Sequence, residues 1–370
     1  MGLVIEAVKG ALADAGLELA DVDGMAVDWH GPGGIPGDTN SWSAVLPRDL
    51  AWTSDGAFGN AGSRGVALAA PAIEAGLCET AVVGGGVRSR SPIVAGETEG
   101  MHVRDSSAVT PGDALEFSSI WGAYVIPMFA LPAQRHMYEF GTRPEQLAHV
   151  AATIRNHGDV NPEAMMFGRG PYTIDDVLDS PMIASPLHLL DCCLVGEGGA
   201  AVVLTTAERA DDLVRRPVRV LGAGMQVHQP AYAYPPTLRG VGMLGSEAAR
   251  RAFGRAGVAP RDVDVFSLYD PTSFEIIRQF EAFGLCAQGE GGEFVAGDTL
   301  LVGGSAPTNL DGGCLSYAWN GTQQMTLKVI DCVRQLRRDA NQQVRDAELA
   351  VSSGAGSGAS HFEKLVLGRA

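Results

Sequence analysis

A strand that is apolar at every position needs cover on both faces, so it belongs in a parallel or mixed sheet flanked by helices. Residues 81–86 (AVVGGG) are such a run, breaking into glycines. The pattern around it alternates helix and strand. Residues 3–15 have helical apolar spacing and stop at Gly16. They lead to a short strand at 24–28 (GMAVD). A small-residue helix at 63–75, closed by Gly76, precedes 81–86. Residues 132–158 read as helical, and 189–206 as strand, glycine turn, strand. The second part repeats the theme: strands at 218–223 and 263–269 (VDVFSLY), helices at 245–257 and 274–283, and a long helix at 325–338. The cationic residues of that last helix lie at its C-terminal end, where the dipole favours them. Strands at 348–352 and 362–367 close the chain. Two βαβ-rich halves of similar order are predicted, 1–210 and 211–370. At 370 residues the chain exceeds the roughly 250–300 that one core usually serves.

Residues 88–135 break the pattern. They lack clean periodicity, and the prolines of WGAYVIPMFALPAQ are expected to prevent a long helix there, so an insertion over the active site is predicted. Charge narrows the partners. The net value is 27 − 43 = −16 with no basic stripe, which argues against nucleic acid. The six cysteines (78, 192, 193, 286, 314 and 332) form no CxxC or Cys/His metal spacing. They read as reduced thiols of a cytoplasmic protein, with no metal site. No signal-peptide pattern and no bilayer-spanning apolar run is visible, so membrane insertion is not expected.

Six segments, in order, carry a resemblance. They are the helix at 63–76 with AVVGGG after it, HMYEFGTRPEQLAHVA (136–151), NHGDVNP (156–162), SPLHLLDCCLVGEGGAAVVL (185–204), VDVFSLYDPTSFEIIRQFEAFGLC (263–286) and NLDGGCLSYAWNGT (309–322). Together they resemble the thiolase superfamily, in its sterol-carrier-protein-x and lipid-transfer-protein branch, over about residues 3–368. The resemblance implies an α/β thiolase fold: two related βαβ-rich halves, each with a mixed five-stranded sheet, on a shared buried helix layer. It also implies a central strand before the first helix, which this sequence lacks. A missing central strand would leave two unpaired edges, so the natural chain is expected to be longer.

The same resemblance shows what chemistry has gone. The slot of the nucleophilic cysteine, at the N-terminus of the buried helix, falls on Gly59 in GNAG (59–62). The activating histidine's slot holds Trp319 and the proline after it Asn320. The Asn-Glu or His-Asp pair reads Tyr269-Asp270. The C-terminal glycine loop at 352–360 (SSGAGSGAS), which contains Gly356, has neither Cys nor His. The replacements are similar to those of the steroid side-chain aldolases of this branch, which lack the thiolase cysteine and carry paired active-site tyrosines. That implies retro-aldol cleavage of a β-hydroxyacyl-CoA, with a 17-hydroxy steroid bearing a CoA-thioester side chain giving a 17-ketosteroid and propionyl-CoA.

In that scheme Tyr317 is expected as base toward the β-hydroxyl and Tyr269 as the acid that protonates the enolate, with the reverse also open. Asp270 is expected to orient its loop. Gly59 and Gly356 would supply space and backbone donors for an oxyanion, Trp319 and Asn320 would shape the pocket, and His157 would line the substrate region or serve structure alone. No cofactor is expected beyond the CoA thioester itself. A homodimer and a small OB-fold acyl-CoA-binding partner are expected, the partner carrying any zinc. Two alternatives stand beside this reading: a non-catalytic acyl-CoA-binding subunit left by decay of the activity, and an acyltransferase or condensing enzyme with another nucleophile. His30 precedes a glycine loop. Cys192 and Cys193 sit in an apolar strand pattern and read as inert core thiols. AVVGGG lacks the spacing of a phosphate loop.

Overall fold

The structure is a computed structural model that describes residues 2–28, 42, 46–54, 62–87, 125–228, 242–318, 324–356 and 361–370. Helix α1 (Gly2–Ala15) buries Val4, Val8 and Leu12, one face at a spacing of four. Gly16 ends it at φ +74°, and the Leu17 N–H reaches back to the Leu12 carbonyl at 2.8 Å. Strands β1 (Gly24–Asp28) and β2 (Trp52–Thr53) follow, then α2 (Gly62–Glu74) and β3 (Thr80–Val87). The glycines that end β3 serve packing. A Cβ at Gly84 would collide with the Ala200 carbonyl, and one at Gly86 would stand 2.6 Å from Val4 Cγ2.

Two helices, α3 (Val125–Phe140) and α4 (Pro144–Asp159), come next, parted by Gly141 at φ +75°. The prediction that prolines prevent a long helix before residue 136 is corrected here. Pro127 occupies the first turn of α3, where its missing N–H has no intrahelical acceptor to lose, and Pro132 costs one interior bond. Of the predicted insertion at 88–135, residues 88–124 lie outside the described residues. A small hairpin, β4 (Met182–Ala184) and β5 (Leu187–His188), leads to β6 (Gly198–Thr205). The strand predicted across Cys192 and Cys193 does not form. Cys192 makes one bridge to Thr272, the Cys193 N–H bonds the Pro271 carbonyl, and the Leu194 N–H bonds the Cys314 carbonyl, so the run is threaded between other elements.

The second half comprises β7 (Val218–Val227), α5 (Ser246–Ala256), β8 (Val265–Ser267), α6 (Ser273–Phe283), α7 (Gln324–Arg337), β9 (Leu349–Gly356) and β10 (His361–Arg369). Helices α2 and α7 lie between the two sheets. Ala26 and Val83 of one sheet and Val265, Ala350 and Leu365 of the other share one core with Val66 and Ala69 of α2 and Val329, Cys332 and Leu336 of α7. Each Val or Leu so buried contributes about 1.5–3 kcal/mol. Helix α1 covers the outer face of the first sheet, and α5 and α6 that of the second.

The strand orders match. The first sheet runs β2-β1-β3-β6 and the second β7-β10-β9-β8, with the last strand of each half antiparallel to its inner neighbour. Each has four strands among the described residues rather than five. In the second half Thr308 makes a single parallel bridge to Phe266 at the outer side of β8. The expected central vacancy is not found: pairing is continuous from β2 to β6. In the second half the first strand, β7, pairs along β10, whereas among the described residues the order of the first sheet ends at β6. A groove of about 1170 Å³ runs along β6, walled by α1, α2, α7 and residues 217–221.

Candidate active site

The stretch after β8 holds Tyr269 and Asp270, and the backbone of Leu268 and Tyr269 is tied down at both N–H and carbonyl. Asn309 brackets Leu268: its Oδ1 accepts from the Leu268 N–H at 2.7 Å and its Nδ2 donates to the Leu268 carbonyl at 2.9 Å. Asn309 takes a left-handed φ of +49°, a conformation asparagine tolerates better than most residues. The Tyr269 N–H donates to Ser353 Oγ of β9 at 3.0 Å, and its carbonyl accepts from Gln279 Nε2 of α6 at 2.8 Å. Tyr269 itself is buried.

Asp270 is fully buried and joins this stretch to the other tyrosine segment. Its Oδ1 accepts from the Cys314 N–H at 2.9 Å and lies 3.1 Å from Lys328 Nζ of α7; its Oδ2 lies 3.4 Å from the Leu315 N–H. Burial raises the Asp270 carboxyl, against the pull of Lys328 and of the Cys314 N–H. Three donors converging on two oxygens are nevertheless the arrangement of an ionised carboxylate. Burial pulls the Lys328 ammonium down, and Asp270 followed by Asp311 more than offsets it, so the group sits above its usual range. These contacts tie the stretch after β8 to residues 313–317 and to α7.

Residues Gly313–Tyr317 form a π-type turn, in which the Tyr317 N–H bonds the Gly312 carbonyl at 3.2 Å and the Ala318 N–H bonds that of Gly313 at 3.3 Å. Such wide turns expose a side chain that a regular helix would not. Gly312 and Gly313 have φ of +107° and +60°. A Cβ at Gly313 would collide with Asp270 Oδ2, and one at Gly312 would lie 2.7 Å from Gly158 Cα, so the DGG of this segment is a steric requirement.

Tyr317 closes that turn and lines a small cavity with Asn161, Asp311, Asp331, Arg334 and Gln335. Tyr269 does not line it. The structure therefore links the two tyrosine segments through the Asp270 carboxylate, while the Tyr317 ring faces the side of α7. Burial, then Asp311 and Glu163, push the Tyr317 phenol up to about 12. This environment favours the neutral phenol, which can donate a hydrogen bond. Asp331 shares the cavity. Burial and then Asp311 raise its carboxyl to about 8, so it too carries a proton near neutrality, and its Oδ2 has no hydrogen-bond partner among the described residues.

His157, on α4, is 4% exposed. Its Nδ1 lies 3.2 Å from the Asn309 carbonyl, an acceptor, so Nδ1 carries the proton and Nε2 is left as a buried acceptor with no partner among the described residues. Burial holds the ring below its usual range, hence neutral. Gly356, expected in a loop, is the last residue of β9, paired with His361 of β10, because the ladder runs on beyond Ser352. Gly59, Trp319, Asn320 and His30 lie outside the described residues. At the described start of α2 the Gly62 N–H is already taken by Thr326 Oγ1 at 2.9 Å.

Every cysteine is insulated. Burial pushes Cys78 to about 11, Cys192, Cys193 and Cys286 to about 12, and Cys314 and Cys332 well above the usual thiol range. None is the thiolate that nucleophilic catalysis needs. Asn309, Gln279, Lys328, Asp331 and Ser353 were not singled out from sequence. Lys328 and Asp331 carried a signal, charges inside the apolar run LKVIDCV of a buried helix. Among the described residues no group of three or more His, Cys, Asp or Glu could hold a metal ion, and no helix is long and apolar enough to cross a membrane.

Residues 241–369 match the thiolase C-terminal domain-like family. The chain is 33% identical over 328 residues to a steroid side-chain-cleaving aldolase of Thermomonospora curvata, covering 86% of this chain and 81% of that protein. It is 32% identical over 369 residues to the 17-hydroxy-3-oxo-4-pregnene-20-carboxyl-CoA lyase of Mycobacterium tuberculosis, covering 96% and 91%. The solved Ltp2-ChsH2(DUF35) aldolase superposes with a TM-score of 0.83 at 29% identity, over 100% of this chain and 92% of that one. The chain belongs to the thiolase superfamily, in the branch that contains the steroid side-chain-cleaving aldolases.

Proposed function

We propose that this chain is the catalytic subunit of a lyase that cleaves a β-hydroxyacyl-CoA by retro-aldol reaction. The substrate class is a 17-hydroxy steroid with a CoA-thioester side chain, and the products are a 17-ketosteroid and propionyl-CoA. The observation that carries the reading is the pairing of two tyrosine segments on one buried carboxylate in a protein whose six thiols are all held protonated. A retro-aldol step needs no covalent intermediate. A base takes the proton of the β-hydroxyl, the freed oxygen electrons form the carbonyl, and the Cα–Cβ bond breaks with its electrons passing to the thioester enolate. That enolate is then protonated at Cα. The raised phenol of Tyr317 suits the proton donor. Tyr269 is then the group facing the β-hydroxyl, the reverse of the first expectation.

Similarity to the Ltp2-ChsH2(DUF35) aldolase and to the mycobacterial lyase supports the substrate class and a small OB-fold partner that helps bind the acyl-CoA. A homodimer at the core of that assembly, in the cytoplasm, completes the proposal. The test is co-expression with the partner, incubation with 17-hydroxy-pregnene-carboxyl-CoA and mass spectrometry of the products. Equal yields of 17-ketosteroid and propionyl-CoA are expected, with turnover lower by roughly 10²–10⁴-fold in Tyr269→Phe and Tyr317→Phe. A stable, CoA-binding complex that cleaves neither this substrate nor other β-hydroxyacyl-CoAs would point to a non-catalytic subunit.

A further inference from the structure

The polar groups behind Tyr269 form a closed chain that the reaction scheme does not use. Gln279, on α6, is 1% exposed and is the hub. Its Oε1 accepts from Ser353 Oγ at 2.6 Å and lies 2.7 Å from Lys364 Nζ of β10. Its Nε2 donates to the Tyr269 carbonyl at 2.8 Å and to the Glu275 carbonyl at 3.0 Å. Ser353 Oγ, having donated to Gln279, accepts the Tyr269 N–H. Both ends of the Tyr269 residue are thus held by one glutamine, directly at the carbonyl and through Ser353 at the amide. The direction of the chain is fixed by the Tyr269 and Glu275 carbonyls. A carbonyl only accepts, so Nε2 must face them and Oε1 is left to Ser353 and Lys364. Were the amide turned over, two acceptors would oppose each other at each carbonyl.

Lys364 is a costly residue for this place. It is 1% exposed, with its Nζ 5.0 Å from the Phe283 ring centroid and 5.8 Å from that of Phe362. Burial, and then the Arg278 charge, hold its amine well below the usual lysine range. A methionine would fill the same space without that penalty.

We infer that Gln279, held at Oε1 by Ser353 and Lys364, is a positioning residue that fixes the peptide of Tyr269 and so aims its phenol. The inference rests on the reading that Tyr269 meets the substrate. Gln279→Glu is the sharpest variant. It keeps the volume, the acceptor for Ser353 and a partner for Lys364, and replaces by an oxygen the donor shared by the Tyr269 and Glu275 carbonyls. In the complex with its partner, kcat should fall roughly 10–100-fold with KM within about twofold, since a displaced catalytic group costs rate more than binding. Lys364→Met, which removes one of the two partners of Gln279 Oε1, should fall in the same direction by less. On the Tyr269→Phe background the added loss from Gln279→Glu should shrink to about twofold or less, because the glutamine acts through that phenol.

A second measurement needs no turnover. Hydrogen exchange of the peptide spanning 265–272 should quicken about tenfold or more in Gln279→Glu, at an unchanged denaturation midpoint. If Tyr269→Phe alone leaves activity intact, the catalytic reading of Tyr269 falls while the exchange result still judges the clamp. If Tyr269→Phe abolishes activity but Gln279→Glu keeps kcat within threefold and exchange unchanged, the positioning role is overturned. Equal fold losses on both backgrounds overturn it as well.

Discussion

Replacing Lys328 by methionine tests whether the Asp270 ion pair holds the two tyrosine segments together. Both partners are nearly inaccessible, at 2% and 0% side-chain exposure, and 3.1 Å apart. Removing one partner of such a pair leaves an uncompensated buried charge and typically costs 3–5 kcal/mol. Here the Cys314 and Leu315 N–H groups would remain on the carboxylate, which favours the lower part of that range. An unfolding entropy of about 2.1 cal/mol/K per residue over 370 residues gives about 0.8 kcal/mol/K, so the midpoint should fall about 4–6 °C. The loss should depend on pH. Without Lys328, burial raises the Asp270 carboxyl against the Cys314 N–H but no longer against a charge, and a raised carboxyl favours the folded state below its unfolded pKa and loses that contribution as pH rises through the folded one. The gap between wild type and Lys328→Met should therefore widen from pH 5 to pH 8, and adding Asp270→Asn should recover part of it. Calorimetry across that range reads both effects. A cost under about 1 kcal/mol at pH 8, with no pH trend, would refute the claim that the pair anchors the site.

Three further outcomes follow from the same geometry. Gly313→Ala should not yield a folded protein at growth temperature, because its Cβ meets Asp270 Oδ2 at a left-handed φ; soluble expression with wild-type circular dichroism would contradict this. Asp331, raised to about 8, should make wild-type stability decline between about pH 4 and pH 8, at up to about 1.4 kcal/mol per pH unit; Asp331→Asn should flatten that slope in urea titrations. Intact mass after incubation with acyl-CoA should show no acyl adduct, since all six thiols are held protonated; a stoichiometric adduct on any cysteine would revive the acyltransferase alternative.

Much of the fold could be read along the chain. Apolar spacing placed α1, α2, α5, α6 and α7 within a residue or two, because apolar residues recur along each at the helical period and the period survives in the sequence. The strand predicted through Cys192 failed for the opposite reason. Burial there comes from three neighbouring segments, and an apolar run alone does not distinguish a ladder from a threaded coil. The place of β6 at the end of the first sheet's order among the described residues was also invisible, since strand order is a property of pairing and not of composition.

At the site, the sequence by itself determined which chemistry was gone. On the family resemblance the slot expected for a thiolase nucleophile falls on glycine at position 59, and tyrosines at 269 and 317 offer phenols instead. Tertiary structure alone decided what those phenols can do. The partners that tie Tyr269 down, such as Ser353, and the burial and carboxylates that raise the Tyr317 phenol, Glu163 among them, come from segments remote along the chain, and proton affinity depends on burial and neighbours that no local pattern records.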